Sequence, residues 1–373
     1  MIKRTLAAIA VTSLAVVAFP AAAAADPVAP VNTSYAAAAK VTPGGGLTPT
    51  VTTGGALGGL LDFLTPVLDQ VVDPLASGLT SLPSTLVADL VAGLTAAGYD
   101  ADSPSTAQAP PSSGFPTCTS GTWNADDCYG PLVPTVSAAP LLSLGTGTLQ
   151  GYAAADSTGA YARAGTAGVL LSLLGVNVGN LGLADAAAQC LANGTCTATS
   201  TLTGLSLLSG TVAAKTAGDG SLLVSIAGGP YVAVSTLSSP VSVSAAGVLS
   251  ATVQAQSGAL RIKVGLGLTD LLAALGIGAS LSSVNATDAG SAVTLSLTIG
   301  PGTKSSSAAA SAWGLDVSVG LDVNVQLSVL GLVTVGLAAP DSATGNLVDL
   351  QLAYASAADT DNSPISGAPP ALT

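Results

Sequence analysis

The chain has 373 residues, of which only 8% are charged and 49% are hydrophobic. All 20 acidic residues are aspartate, histidine is absent, and the formal net charge is −12. This acidity argues against nucleic acid and anionic lipid as partners, because both are bound by clusters of Lys and Arg. The lack of histidine excludes Ser-His-Asp and Cys-His catalysis and histidine-bound zinc.

Residues 1–25 have the organisation of a secretory signal peptide. Lys3 and Arg4 form a positive n-region, residues 6–19 are apolar, and the alanines at 23–25 fit a cleavage site. We therefore expect a secreted or extracellular protein that is either released or associated with the cell surface. Removal of this segment leaves six basic and 20 acidic residues, so the net charge becomes −14.

The next two segments are predicted to be a flexible leader and a small helical element. Residues 26–56 are rich in Pro, Thr, Ala and Gly and lack a periodic apolar face, which is typical of a leader. Within 57–98, leucine and valine recur every three or four residues, which indicates short amphipathic helices. Because proline starts or breaks a helix, Pro66, Pro74 and Pro83 predict two or three helices instead of one.

Two pairs of cysteines lie close together in the sequence. Cys118 and Cys128 fall in a proline-rich linker predicted at 99–140, and Cys190 and Cys196 follow it. Four cysteines allow three pairings, and the short spacings favour Cys118–Cys128 and Cys190–Cys196 as disulfides of an exported protein. Zinc is disfavoured, since the chain has neither histidine nor a CxxC spacing.

Three residues inside the first cysteine loop are candidate calcium ligands. Asn124, Asp126 and Asp127 lie between Cys118 and Cys128, where a disulfide would order them. Calcium prefers such hard oxygen donors, although their spacing does not match an EF-hand loop. No other cofactor is predicted.

Residues 141–358 have the two-residue period of antiparallel strands. Apolar positions alternate with Ser, Thr and Gly in runs such as 161–173, 260–268 and 293–299, and Gly, Pro, Asn and Asp lie between the runs. One apolar and one polar face predict strands that cover a core on one side. The predicted fold class is mainly β: an antiparallel β-sandwich-like domain with a small N-terminal helical element. A β-solenoid is the alternative, favoured by the tandem GLDVSV-GLDVNV.

The longest alternation is GLDVSVGLDVNVQLSVLGLVTVGL at 314–337. Its odd positions are Leu or Val except Gly331, and we predict that they face the core. The run is too long for an ordinary strand. Since Gly inside a strand marks a bend or bulge, we predict a break at 330–332 or at Gly320. A short helix is predicted at 269–278.

The two remaining segments concern membrane anchoring and the C-terminus. The uncharged run at 164–184 is the best candidate for a membrane span, but five Gly and two Asn interrupt it. We therefore expect no transmembrane anchor in the mature chain. Residues 359–373 are predicted to be a flexible tail.

Aspartate pairs are the remaining route to hydrolysis, because glycosidases act with two carboxylates. The chain has no GxSxG nucleophile motif. Four aspartate pairs lack any identifying motif and are interpreted as solvated carboxylates, so no catalytic residue is predicted: Asp100/Asp102, Asp126/Asp127, Asp316/Asp322 and Asp359/Asp361. Without His or free Cys, we expect stability to be nearly constant from about pH 6 to 9.

Two further segments are LGTGTLQGYAAADSTGAYARAGTAGVLLSLLGVNVG at 144–179 and ASAWGLDVSVGL at 310–321. They resemble segments of secreted actinobacterial surface proteins of the choice-of-anchor kind. The resemblance implies an extracellular β-rich module of unassigned activity and supplies no catalytic residue. The C-terminal ADTDNSPISGAPPALT departs from such families, since it has no LPXTG-like sorting signal, hydrophobic tail or basic stop.

The sequence is compatible with three hypotheses on function. The first is an exported, non-enzymatic cell-surface or extracellular structural or interaction protein, with cell-wall or surface components or further copies of itself as partners. The second is an exported hydrolase that uses aspartate pairs. The third is a self-assembling, amyloid-like coat protein, which low charge and β-rich segments favour.

Overall fold

In a computed structural model of the protein, two antiparallel sheets share one hydrophobic core. The structure describes residues 33–45, 47–54, 65–96, 105–108, 123–124, 128–132, 136–138, 142–145, 147–156, 159–173, 176–190, 196–245, 249–277, 281–330, 333–339 and 346–358. Within these ranges the protein is mainly β and sandwich-like, which confirms the predicted fold class.

The strands are numbered in chain order. They are β1 Thr33–Pro43, β2 Thr50–Gly54, β3 Ser105–Gln108, β4 Trp123–Asn124, β5 Cys128–Leu132, β6 Val136–Ala138, β7 Leu142–Gly145, β8 Thr148–Asp156, β9 Gly159–Leu173, β10 Val176–Cys190, β11 Cys196–Thr203, β12 Leu205–Leu207, β13 Val212–Thr216, β14 Leu222–Ile226, β15 Val232–Ala233, β16 Val241–Ala245, β17 Leu249–Gln256, β18 Ala259–Leu266, β19 Ala286–Asp288, β20 Ala292–Ser305, β21 Ala309–Val329, β22 Val333–Ala339 and β23 Asn346–Ala358.

The strands divide into two sheets. The first sheet has the order β16-β17-β18-β20-β21-β23-β1-β3. In addition, β19 and β22 pair with β21, and β2 pairs with β22. The second sheet has the order β15-β14-β13-β12-β10-β9-β8-β5-β4. In addition, β11 pairs with β10, β7 pairs with β9, and β6 pairs with β7. The β-solenoid alternative is wrong, because solenoid coils stack parallel strands whereas the sheet neighbours described here, such as β20, β21 and β23, are antiparallel.

The long alternating run forms β21 and then β22. Odd residues of β21 from Leu315 to Val329 are at most 1% exposed, which confirms that they face the core. The strand ends before Leu330, whose φ is +53°. The pairing with β23 also shifts register between Val319 and Gly320. Both predicted break points are therefore irregular.

A bulge changes the parity of β21 just before Leu315. Trp313 pairs with Gly302 and Asp316 pairs with Gly300, so two residues of β21 oppose one residue of β20. Up to the bulge the buried residues lie at even positions, and after it they lie at odd positions. Trp313 and Asp316 consequently share the outer face of the first sheet.

Small residues line the contact between the two sheets. A Cβ on Gly314 would lie only 2.8 Å from the Cβ of Ala184 in β10. Ser200 of β11 crosses the same contact, and its Oγ donates a hydrogen bond to the main-chain carbonyl of Trp313 at 2.7 Å. Strands β9, β10, β21 and β23 contribute the buried alanines Ala160, Ala162, Ala164, Ala184, Ala186, Ala188, Ala310, Ala312, Ala355 and Ala357.

One helix, α1, runs from Thr65 to Ala96, so the prediction of two or three short helices is wrong. A π-helical turn at Leu68–Val72 precedes Pro74, and a wider turn accommodates the missing N–H of a proline. Pro83 lies inside the helix, where a continuous apolar stripe outweighs its cost. The buried stripe is Val67, Val71, Leu75, Leu79, Leu82, Leu86, Leu90 and Leu94. The predicted short helix is α2, Leu268–Ala274.

The interpretation of 26–56 as a flexible leader is wrong for its described part. β1 pairs with β23 along Thr33–Pro43, and β2 pairs with β22. The Ala-rich run in β1 shows no alternation because small residues occupy both of its faces, with Ala36 and Ala37 both fully buried. The predicted linker at 99–140 likewise contributes β3, β4, β5 and β6 to the sheets.

The segment predicted as the best membrane-span candidate forms two β-strands. Residues 164–173 and 176–184 belong to the β9–β10 hairpin, so 164–184 is not a helical span. Among the described helices, α1 is long and apolar enough to cross a membrane by length and composition, yet its leucine stripe packs into the core. The predicted signal peptide and tail lie outside the described residues.

Candidate functional site on the outer face of the first sheet

Scarce aromatic residues meet on the outer face of the first sheet. The chain has two Trp, seven Tyr and three Phe. Trp313 and Tyr354 lie directly opposite each other on β21 and β23. The ring centroids of Tyr35 and Tyr354 are 5.7 Å apart in an edge-to-face arrangement. Burial and the neighbouring Tyr354 raise the pKa of Tyr35 to about 12.

Two lysines lie over these rings. The Nζ of Lys40 is 4.1 Å from the centroid of Tyr354, and the Nζ of Lys304 is 5.6 Å from the centroid of Trp313. Both distances are within the range of a cation–π contact. Tyr35, Lys40, Lys304, Trp313 and Tyr354 are together called the aromatic face.

Glycine at position 302 makes room for the indole of Trp313 over β20. Gly302 is the partner of Trp313 on β20. A Cβ at Gly302 would be 2.2 Å from a carbon of the indole ring. Any other residue at this position would therefore lift the ring away from the strand.

A half-buried carboxylate lies in the row of residues next to the aromatic face. Asp316 pairs with Gln351, and Ser318 pairs with Asp349, so the two aspartates are diagonal neighbours on β21 and β23. Burial and the charge of Asp349 raise the pKa of Asp316 to about 6. A hydrogen bond from Gln351 and the charge of Lys304 lower this pKa and offset part of the increase. Within the described residues, Oδ1 of Asp316 is buried without a hydrogen-bond partner.

The aspartate pairs predicted from the sequence are not brought together. Asp316 and Asp322 lie on the same face of β21 but about 20 Å apart, at roughly 3.3 Å per residue. The interpretation of Asp316 as a solvated carboxylate is wrong, whereas Asp322 is exposed. The other three pairs lie outside the described residues. Asp349 was missed because its position opposite β21 depends on a register that the sequence does not reveal.

The structure settles one of the two predicted disulfides. Cys190 and Cys196 are bonded and close the β10–β11 hairpin, where they are also register partners. Cys118 lies outside the described residues, so the Cys118–Cys128 pairing stays a prediction.

The calcium prediction is not tested by the described residues. Asn124 ends β4, while Asp126 and Asp127 lie outside the described ranges. Among the described residues, no group of three or more Cys or Asp is placed to hold a metal ion.

A shallow cleft lies on the outer face of the second sheet. Its volume is about 280 Å³, and a small residue, Ala187, lies opposite Arg163 in the pairing of β9 and β10. Arg163 binds Asp185 with two hydrogen bonds, one of them from Nε to Oδ1 at 3.1 Å. The hydrogen bond with Asp185 raises the pKa of Arg163. The cleft is lined by Tyr161, Ala187, Ala188, Gln189, Thr197 and Thr199.

Comparison of the chain with protein-family models, curated proteins and solved structures finds no match. The resemblance to choice-of-anchor surface proteins therefore stays a prediction.

Proposed function

We propose that the protein is an exported, non-enzymatic interaction protein that binds cell-wall or other surface components through the aromatic face. The observation that carries this proposal is the meeting of three aromatic rings and two lysines on one sheet. Only 3% of the residues are aromatic and 8% are charged, so such a cluster is not expected by chance. Tyr and Trp are also the residues that binding interfaces favour.

Two further features support export. The first 25 residues have the pattern of a signal peptide. The Cys190–Cys196 disulfide fits an oxidising compartment, since disulfides are rare in the cytosol.

Fractionation and envelope binding test this proposal. We expect the protein in the culture medium or the cell-wall fraction, and we expect the purified mature chain to sediment with isolated envelopes. Replacing Trp313 and Tyr354 by Ala should abolish sedimentation. Tyr231→Ala is the matched control, because Tyr231 is 44% exposed and also carries a lysine, Lys215, at 4.3 Å from its ring. Equal sedimentation of all variants would contradict the proposal.

A second candidate function is hydrolysis of a glycoside by Asp316 and Asp349. It is favoured by the raised pKa of Asp316, which suits a general acid, and by a second carboxylate diagonally across the strands. Diagonal neighbours have Cα atoms about 7–8 Å apart, which is compatible with a pair of glycosidase carboxylates.

Chromogenic glycosides and polysaccharide digests test the hydrolase candidate. Asp316→Asn and Asp349→Asn should each abolish the release of reducing sugar, while Asp322→Asn should not. Turnover that survives in both pair variants would exclude these two residues as catalysts. The amyloid-like coat stays a prediction, for which thioflavin binding and fibre diffraction are the tests.

A further inference from the structure

We infer that the ligand of the aromatic face is a neutral polysaccharide whose sugar rings lie against Trp313 and Tyr354. This inference rests on the proposed function and adds the chemical class of the partner.

The two central rings are placed to offer flat apolar surfaces. Trp313 lies over the backbone of β20 at Gly302, and the exposed Lys304 covers its ring, so a face of the indole becomes available when Lys304 moves away. Ala37 is opposite Tyr354 on β1 and is fully buried, as expected where the Tyr354 ring covers it. Pyranose rings present faces of C–H groups, and these pack well on aromatic faces that lie parallel to a surface.

Trp313 and Tyr354 are spaced to contact one continuous chain. They are register partners on adjacent strands, so their Cβ atoms are about 5 Å apart. Tyr35 pairs with Ser356 and is therefore a diagonal neighbour of Tyr354, and its ring packs edge-to-face on Tyr354 at a centroid distance of 5.7 Å. Three neighbouring rings that extend over β21, β23 and β1 suit an extended polymer better than a single small molecule.

The charges on and beside the aromatic face balance. Lys40 and Lys304 lie over the rings, and Asp316 and Asp349 lie in the adjoining rows. An anionic polymer would meet both carboxylates and the net charge of the chain without its predicted signal peptide, −14. A cationic polymer would meet both lysines. A neutral ligand avoids both conflicts.

Polar side chains beside the rings match sugar hydroxyls. Gln351 offers an amide that both donates and accepts hydrogen bonds. Asp349 is held by Asn346, whose Nδ2 donates to Oδ1 of Asp349 at 3.1 Å. A carboxylate fixed in this way accepts hydrogen bonds from hydroxyl groups without first losing conformational freedom.

The lysines act as displaceable covers on the rings in the unbound protein. Lys304 is exposed, and cation–π contacts at exposed sites are weak. A sugar ring that stacks on Trp313 therefore displaces the ammonium group into water. It follows that removal of Lys304 should preserve or strengthen binding of a neutral polymer and weaken binding of an anionic one.

Native gel electrophoresis with a polysaccharide in the gel separates these outcomes. The probes are hydroxyethyl cellulose, dextran and a soluble mannan as neutral polymers, and polygalacturonate as the anionic one. We expect at least one neutral polymer to retard the wild type, with a loss of tenfold or more in affinity for Trp313→Ala and Tyr354→Ala. Tyr231→Ala should bind like the wild type, and Lys304→Ala should bind at least as tightly.

Each other result overturns the inference. Retardation by polygalacturonate alone, lost in Lys304→Ala, would identify an anionic ligand. Envelope binding that depends on Trp313 without retardation by any neutral polymer would retain the proposed function and reject this ligand class. Circular dichroism checks that each variant is folded. Trp313→Leu, which keeps an apolar side chain over Gly302, replaces Trp313→Ala if that variant unfolds.

Discussion

Asp316 and Asp349 face the same side of the first sheet, one row apart on β21 and β23. The half-buried Asp316 therefore has a second carboxylate as its diagonal neighbour. Desolvation and this neighbouring charge both penalise the ionised form of Asp316 and raise its pKa from the ordinary 3.8 to about 6. The folded protein consequently binds this proton more tightly than the unfolded chain does.

The first prediction is that Asp316 makes the protein less stable as the pH rises. Its contribution is fully present below about pH 4 and is lost as the pH climbs through 6. A shift of this size corresponds to at most about 3 kcal/mol, and partial solvent access reduces it to about 1–2 kcal/mol. Asp316→Asn should therefore be more stable than the wild type at pH 7 but not at pH 4. Urea unfolding at pH 4, 5.5 and 7 measures this difference.

Asp322→Asn is the matched control for that experiment, because Asp322 lies on the same face of the same strand but is exposed. Asp219 and Asp288 have lowered pKa values through hydrogen bonds with Ser221 and with Ser291, so they act in the opposite sense at lower pH. The contribution of Asp316 is therefore measured as the difference in free energy of unfolding between Asp316→Asn and the wild type at each pH. A difference that does not change with pH would show that Asp316 is solvated. The raised pKa of Asp316 predicts that the stability expected to be constant from about pH 6 to 9 changes at the lower end of that range.

The second prediction concerns the two faces of β21. Val325 is 1% exposed, whereas its neighbour Asn324 is exposed. Val325→Asp should destabilise the protein by about 3–5 kcal/mol, because an unpaired charge would be buried. Asn324→Asp should change stability by less than about 0.5 kcal/mol. Chemical denaturation of the two variants gives both values, and similar losses would contradict the assignment of the faces.

Ser318 is not a suitable control for that prediction. Its side chain lies on the polar face of β21. On the sequence alone, Ser318→Asp is therefore predicted to be tolerated. In the sheet, however, Ser318 pairs directly with Asp349, and like charges on opposite residues are destabilising. The periodicity of β21 reveals the face of each residue but not its neighbour on the next strand.

The same limit explains which parts of the fold and site could be predicted. Alternation over 315–329 is strong enough to specify a strand and its buried face from the sequence alone. β1 was missed because alanine fits both of its faces equally well, so that no alternation marks it. The pairing of Trp313 with Tyr354 could not be predicted from the sequence either. Residues about 40 positions apart become neighbours only through the register of β21 with β23.

The third prediction concerns the disulfide of the β10–β11 hairpin. Cys190 and Cys196 are buried, and their bond closes a short loop. Replacing both by Ala should lower the free energy of unfolding by about 2–3 kcal/mol, because the unfolded chain gains conformational freedom. The melting temperature of this double variant should match that of the reduced wild type if Cys190–Cys196 is the disulfide that contributes most to the stability of the protein. An unchanged melting temperature would show that the hairpin is held by its sheet contacts alone.

The last prediction tests whether the bulge at Gly314 sets the distance between the sheets. A Cβ at this position would lie 2.8 Å from both the Cβ of Ala184 and the amide nitrogen of Asp185. Gly314→Ala should destabilise the protein by about 1–3 kcal/mol, because backbone on the opposite sheet has to shift. Gly265→Ala is the matched control in β18, since no atom lies within 4 Å of its added Cβ. It should be neutral or stabilising, because Ala restricts the unfolded chain more than Gly. Equal stability of the two variants would mean that the sheets can separate at this point without cost.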